Sequence, residues 1–197
     1  MQKSFFLQKI LALLFALFLV TACSSKEKPK LPPPPSPADN PANVTWNQQT
    51  GGLNYRIEAS KDLNRVREES LGLTLCVYQI EDPSSFQALS ASAEGLDQLL
   101  DCKLEPAKAR ASRSFLIQPG KNLDIVQDRV EKARYFAVVA GYDHLEPDLC
   151  SAIIPFPIHT EKVGIIFRDT VYTAAPMQAL IHLGAESVTI SGVERVQ

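Results

Sequence analysis

The sequence is poor in the residues that hold metals and activate nucleophiles. Its 197 residues include three histidines, His144, His159 and His182, and no Cys or His pair has the spacing of a metal site. It lacks a Gly-x-Ser-x-Gly elbow, a phosphate-binding glycine loop and a His-Glu-x-x-His helix. His144 stands beside Asp143, but a histidine at a strand end is more often structural or exposed than an acid-base group. Catalysis, a metal and a cofactor are therefore not expected. Basic residues form no cluster and are not interleaved with aromatics, and the formal net charge is -2, which argues against a nucleic-acid partner.

A long apolar run occurs once, at the N-terminus. Lys3 and Lys9 precede eleven apolar residues, Ile10 to Val20, which end in Thr21, Ala22 and Cys23. This is the layout of a secretory signal peptide, residues 1–22, and the run is about half of the roughly 20 residues that a spanning helix needs. Its loss removes two lysines and leaves 18 basic against 22 acidic residues. Val20-Thr21-Ala22-Cys23 resembles a bacterial lipobox, with valine where leucine is usual, so Cys23 is expected to be lipidated as the mature first residue. Each buried methylene contributes about 0.8 kcal/mol and one acyl chain holds only marginally, so three chains give stable attachment. Ser24 follows Cys23, and by the usual sorting rule of enteric bacteria the lack of Asp there implies the outer membrane, facing the periplasm.

Proline is concentrated just beyond this point. Seven prolines lie between Pro29 and Pro41 among polar residues, a composition that cannot form a core and favours extended polyproline conformation. At about 3.1 Å per residue the segment spans roughly 40 Å. Residues 23–52 thus read as a lipidated cysteine and linker, and 53–197 as one domain large enough for a real core.

Three further cysteines remain, Cys76, Cys102 and Cys150, and an oxidising compartment permits one disulfide among them. Spacing does not choose the pair. Cys76 sits in an apolar strand pattern and reads as a buried thiol, so Cys102 with Cys150 is the expected bond.

The domain reads mostly as strands. Leu53 to Ser60 and Leu71 to Ile80 flank the charged run Lys61 to Ser70. Phe86, Leu89, Ala93, Leu96, Leu99 and Leu100 then recur at helical spacing, with Ser84 or Ser85 as a cap, giving one or two short helices over about 86–101, interrupted at Gly95. Further strands are expected at Ala111 to Gln118, Asn122 to Gln127, Arg134 to Leu145, Leu149 to Ile158, Val163 to Thr173, Met177 to Gly184 and Ser187 to Glu194. Pro155 and Pro157 suit an edge strand. Seven to nine short strands imply an all-β, two-sheet sandwich with a short helical insertion after the second strand.

The succession "LTLCVYQIEDPSSF" (Leu73 to Phe86), a helical patch, "FLIQPGKNLDI" (Phe115 to Ile125) and "ARYFAVVAGYDHLEP" (Ala133 to Pro147) resembles TssJ, the outer-membrane lipoprotein family of the bacterial type VI secretion system. Tyr78, Gln79 and Ile80 take the place of its Tyr-Gln-Leu strand end, Phe86 leads the helix, Pro119 and Gly120 make the turn, and Val139 to Tyr142 match its Val-Ala-Gly-Tyr/Phe strand. Asp143 stands where the family often has arginine, and Cys150 where tryptophan is frequent.

The resemblance implies a transthyretin-like sandwich and a non-enzymatic role: attaching the trans-envelope core complex to the outer membrane by binding the periplasmic C-terminal domain of TssM. The protruding loop between the first two strands contributes to that contact in the family, and here it corresponds to Asn64, Arg65, Val66, Arg67, Glu68, Glu69 and Ser70. Charged residues around one valine suit the rim of a protein interface, although such a run is also what a solvated loop looks like.

Two other classes are weighed against this reading. Transthyretin-like hydrolases of purine breakdown carry a C-terminal Tyr-Arg-Gly-Ser sequence, whereas this chain ends in "SGVERVQ". A ligand-binding or envelope-maintenance lipoprotein would need a pocket, which Trp46, Tyr55 and Tyr142 are candidates to line, although aromatics in strands are more often packing residues. No small-molecule substrate is expected.

Overall fold

The computed structural model describes residues 36–165 and 168–192. Cys23 and the signal segment lie outside the described residues. The strands are β1 (Gln49–Ala59), β2 (Arg65–Val66), β3 (Glu69–Ser70), β4 (Leu73–Ile80), β5 (Ala111–Ile117), β6 (Asn122–Arg129), β7 (Tyr135–Ala140), β8 (Ser151–Pro155), β9 (Ile158–Val163), β10 (Asp169–Ala174), β11 (Met177–Leu183) and β12 (Val188–Gly192). Two helices, α1 (Ser84–Ser90) and α2 (Ala93–Leu100), follow β4.

Two four-stranded sheets, ordered β12-β11-β1-β6 and β5-β4-β7-β8, stack as a sandwich, and β2-β3 and β9-β10 are separate two-stranded ribbons. All pairings are antiparallel except β1 with β11, which starts at Leu53 opposite Met177. Side chains alternate across a strand. Leu53, Tyr55 and Ile57 of β1 therefore meet Leu73, Leu75 and Val77 of β4 and Phe136 and Val138 of β7 in the buried core. The Tyr55 ring lies 5.2 Å from Phe136 and 6.3 Å from Phe115 across that space.

β4 is buried on both faces because the helices cover its other side. Cys76 and Tyr78 point there: the Tyr78 hydroxyl donates to the Leu99 carbonyl, its ring packs 6.0 Å from Phe86, and the Cys76 sulfur lies 3.4 Å from the Leu100 carbonyl. This double burial explains why β4 shows no polar alternation in the sequence. β8 is the edge strand that its prolines imply, with Pro155 as its last residue.

The helical insertion lies close to its expected bounds, with two corrections. Ser84 is not the cap of α1. Asp82 takes that work, its Oδ1 accepting from the Ser84 N–H (3.0 Å) and hydroxyl (2.6 Å), which holds the Asp82 carboxyl below its usual range. The break falls at Ala91 and Ser92, not at Gly95. Ser92 caps α2 by accepting from the Gly95 N–H at 3.1 Å, and Gly95 sits buried inside α2 where a Cβ would be 2.0 Å from the Leu89 carbonyl oxygen.

The disulfide expectation is overturned. Cys76 bonds to Cys102, with Cα atoms 5.3 Å apart, and Cys150 is a buried free thiol. Cys76 points to the helix side of its sheet, where the residue after α2 arrives. Cys150 precedes β8 and hydrogen-bonds the His144 carbonyl at 3.5 Å, away from Cys102.

Residues ahead of Leu53 belong to the folded domain. Ala38 exchanges two 2.9 Å backbone hydrogen bonds with Tyr172 of β10, Pro41–Asn43 form a 3-10 turn capped by Asn40, and Val44 and Trp46 are buried in the core. The C-terminal end of the linker is thus fastened to the sandwich.

Candidate functional site

The loop between β1 and β4 folds into a miniature hairpin. Val66 faces Glu69 across a two-residue turn, Arg67-Glu68, in which Arg67 takes a left-handed φ of 58°. Asn64 enters the hairpin with φ 46°, a conformation asparagine tolerates better than most residues.

Asn64 is buried, and its Oδ1 accepts from the Asp143 N–H at 2.8 Å. The next residue bonds elsewhere: the Arg65 N–H donates to the Ala185 carbonyl at 3.0 Å. These bonds tie the hairpin to the β7-β8 loop and to the β11-β12 turn. Tyr142 links those two in turn, its hydroxyl donating to the Ser187 carbonyl at 2.6 Å, and burial pushes its pKa up. Three loops from three places in the sequence thereby form one braced rim.

Between them lies a groove of about 420 Å³. The hairpin wall is Asn64, Arg65, Val66 and Arg67; the facing walls are Tyr142 to Glu146 without Leu145, then Leu149, and Ala185 with Glu186. Val66, Leu149 and the edge of Tyr142 supply apolar surface. His144 Nε2 lies 2.9 Å from Glu146 Oε1, and Arg65 lies 3.4 Å from Asp62.

Four residues of the expected contact loop therefore line the groove, while Glu68 and Glu69 do not. Val66 is half-buried instead of standing exposed. The facing walls were not singled out from sequence as a site, because Asp143 and His144 carry no local pattern and Glu186 lies over 100 residues from the hairpin. Trp46, Tyr55 and Tyr142 are all buried in the core, and of the three Tyr142 lines the groove. Among the described residues no cluster of His, Cys, Asp and Glu is fit to hold a metal ion.

The architecture is a sandwich that presents a loop-built, charged groove at one end. The sequence matches the profile of the family described as T6SS-SciN, Type VI secretion lipoprotein, VasD, EvfM, TssJ, VC_A0113, over residues 52–186. The chain belongs to this family of type VI secretion lipoproteins, whose members are structural proteins and not enzymes. A search of curated protein sequences finds no match.

Two solved structures share the fold. The lipoprotein TssJ1 from Pseudomonas aeruginosa aligns with 18% identity and a TM-score of 0.52, covering 75% of this chain and 97% of that one. A chain in the structure of the T6SS protein TssM C-terminal domain (869-1107) from EAEC aligns with 16% identity and a TM-score of 0.52, covering 72% of this chain and 98% of that one.

Proposed function

We propose that this protein anchors the trans-envelope core of the type VI secretion system to the outer membrane from its periplasmic face. Acyl chains on Cys23 hold the leaflet, the proline-rich segment sets the reach, and the sandwich, of the transthyretin type, grips the periplasmic C-terminal domain of TssM through Asn64 to Ser70. The reading rests on family membership together with one observation: the hairpin is braced by the Asn64 to Asp143 and Arg65 to Ala185 bonds.

A braced loop loses little conformational entropy when a partner docks, which favours a specific and stable contact. Charged groups at such a rim select the partner and speed encounter more than they add raw affinity. Nothing in this role requires the protein to change covalent bonds.

The test is a pull-down from detergent-solubilised envelopes with the lipidated protein as bait, co-purifying proteins being identified by mass spectrometry. Recovery of a large inner-membrane protein with a periplasmic C-terminal domain, lost when residues 64–70 are deleted, is the expected result. Its absence from membranes that express the secretion system would reject the anchoring role.

A further inference from the structure

The hairpin makes only one side of the groove, and the other sides carry charge that the protein leaves unpaired. Arg67 on the hairpin, Asp143 on the β7-β8 loop and Glu186 on the β11-β12 turn all line the groove, and none of them forms an ion pair among the described residues. Arg65 and Arg67 make the hairpin wall basic, whereas Asp143, Glu146 and Glu186 make the facing walls acidic. Among the described residues Arg65 pairs with Asp62, and of the three acidic groups Glu146 alone has a partner, the His144 ring.

We propose that the acidic walls are the second half of the recognition surface. They select a partner loop that sets one apolar side chain on Val66 and Leu149, turns a basic residue toward Asp143 and Glu186, and turns an acidic residue toward Arg67. This rests on the reading that the hairpin side binds the periplasmic domain of TssM, and it adds the chemistry of the segment that is bound. The volume, about 420 Å³, suits one anchoring side chain with its neighbours and not a globular surface. Opposite charges on opposite walls fix the direction in which such a loop lies, because reversing it places like charges together.

The bracing makes both halves act together. Asn64 and Asp143 are joined through a backbone N–H, so the two walls hold a fixed separation before any partner arrives.

The experiment uses the full lipidated protein in detergent, immobilised, with the TssM periplasmic domain from the same genome in solution. Asp143→Lys/Glu186→Lys is compared with Asp97→Lys/Glu161→Lys, which makes the same change in net charge on exposed positions away from the groove. Leu149→Ser removes apolar floor. Near-UV circular dichroism checks that each variant keeps the native packing.

The groove pair is expected to weaken binding at least tenfold and to flatten its salt dependence, with Leu149→Ser also weaker and the control pair unchanged. Wild-type affinity in the groove variants, with binding still lost on deletion of residues 64–70, would overturn the second wall and leave the hairpin reading standing. Failure of the wild-type protein itself to bind the domain would overturn both.

Discussion

The guanidinium carbon of Arg129 lies 5.1 Å from the centroid of the Trp46 ring, inside the protein and, among the described residues, without an ion-pair partner. Its Nη1 donates to the Ala175 carbonyl and its Nη2 to the Asn47 carbonyl, both at 3.1 Å, and Phe156 closes the other side at 5.8 Å. Burial pushes its pKa down from the usual arginine value. The cation therefore stands where the segment around Trp46 and Asn47 enters the sandwich, and it joins that segment to β6 and to the link between β10 and β11.

Replacing Arg129 by alanine leaves two half-buried carbonyls without their donors and empties a space between two rings. The expected cost is about 3–5 kcal/mol, read from urea unfolding. Limited proteolysis should show residues 36–48 becoming the first site of cleavage. Arg129→Lys is expected to rescue little, since a single ammonium cannot reproduce the planar fork that reaches both carbonyls. Wild-type stability in both variants would sink the clamp.

Gln79 ties the two sheets at the same end of the sandwich. Its Nε2 donates to the Asp128 carbonyl at 2.8 Å and its Oε1 accepts from the Val130 N–H at 2.9 Å, so one buried amide satisfies two backbone groups at the end of β6. Gln79→Leu keeps the volume and orphans both. A loss of about 2–4 kcal/mol in denaturant unfolding is expected, and a loss below 0.5 kcal/mol would mean that the backbone re-pairs without it.

These two residues show what was and was not legible. Leu73 to Ile80 and Tyr135 to Ala140 announce themselves as strands because two covered faces make them mostly apolar, and Phe86, Leu96 and Leu99 announce the helices by their spacing. Gln79 is visible as part of a resemblance, yet its clamp to β6 depends on which face of β4 it occupies opposite a strand 50 residues away. The cysteine pairing failed for the same reason: spacing does not report the side of a sheet. The hairpin wall, Asn64 to Arg67, lies within the charged loop visible in the sequence, whereas Asp143 and Glu186 come beside it only once the three loops meet.

Tyr78 makes the fold sensitive to alkali. Burial, reinforced by the nearby Asp101 carboxylate, raises its pKa from 10.0 to about 12. The unfolded chain begins to lose this proton near pH 10 while the folded chain keeps it. The unfolded state is then the one that binds fewer protons, so stability falls as pH rises from about 10 to about 12 and is fully present below that window. The raise corresponds to roughly 2–3 kcal/mol. Buried Tyr55 and Tyr142 are raised as well and act in the same direction. Denaturant midpoints measured from pH 9 to 12, with tyrosinate absorbance followed in parallel, test this, and ionisation of every tyrosine before unfolding would contradict it.

Gly95 reverses a familiar rule. Glycine inside a helix ordinarily costs about 1 kcal/mol relative to alanine, so Gly95→Ala would be expected to stabilise α2. Here the new Cβ would sit 2.0 Å from the Leu89 carbonyl oxygen, a backbone atom that cannot step aside unless the two helices separate. The substitution should destabilise the protein by about 2–3 kcal/mol in thermal or denaturant unfolding. A stabilised variant would show that α1 and α2 do not pack this closely.

The Cys76 to Cys102 bond closes a loop that contains both helices, with a sequence separation of 26. A loop of that length corresponds to about 3.5 kcal/mol of restricted unfolded-state entropy, which Cys76→Ala or Cys102→Ala should remove in an oxidising compartment. Cys150 is expected to behave differently. Its thiol is buried and its pKa is raised by that burial, so the thiolate that alkylating agents attack is scarce as well as shielded. Non-reducing peptide mapping should therefore return a linked pair of peptides containing Cys76 and Cys102. Cys150 should be modified by iodoacetamide only after unfolding. Its ready modification in the folded protein would contradict its burial, and its recovery in a disulfide with Cys102 would contradict the pairing described above.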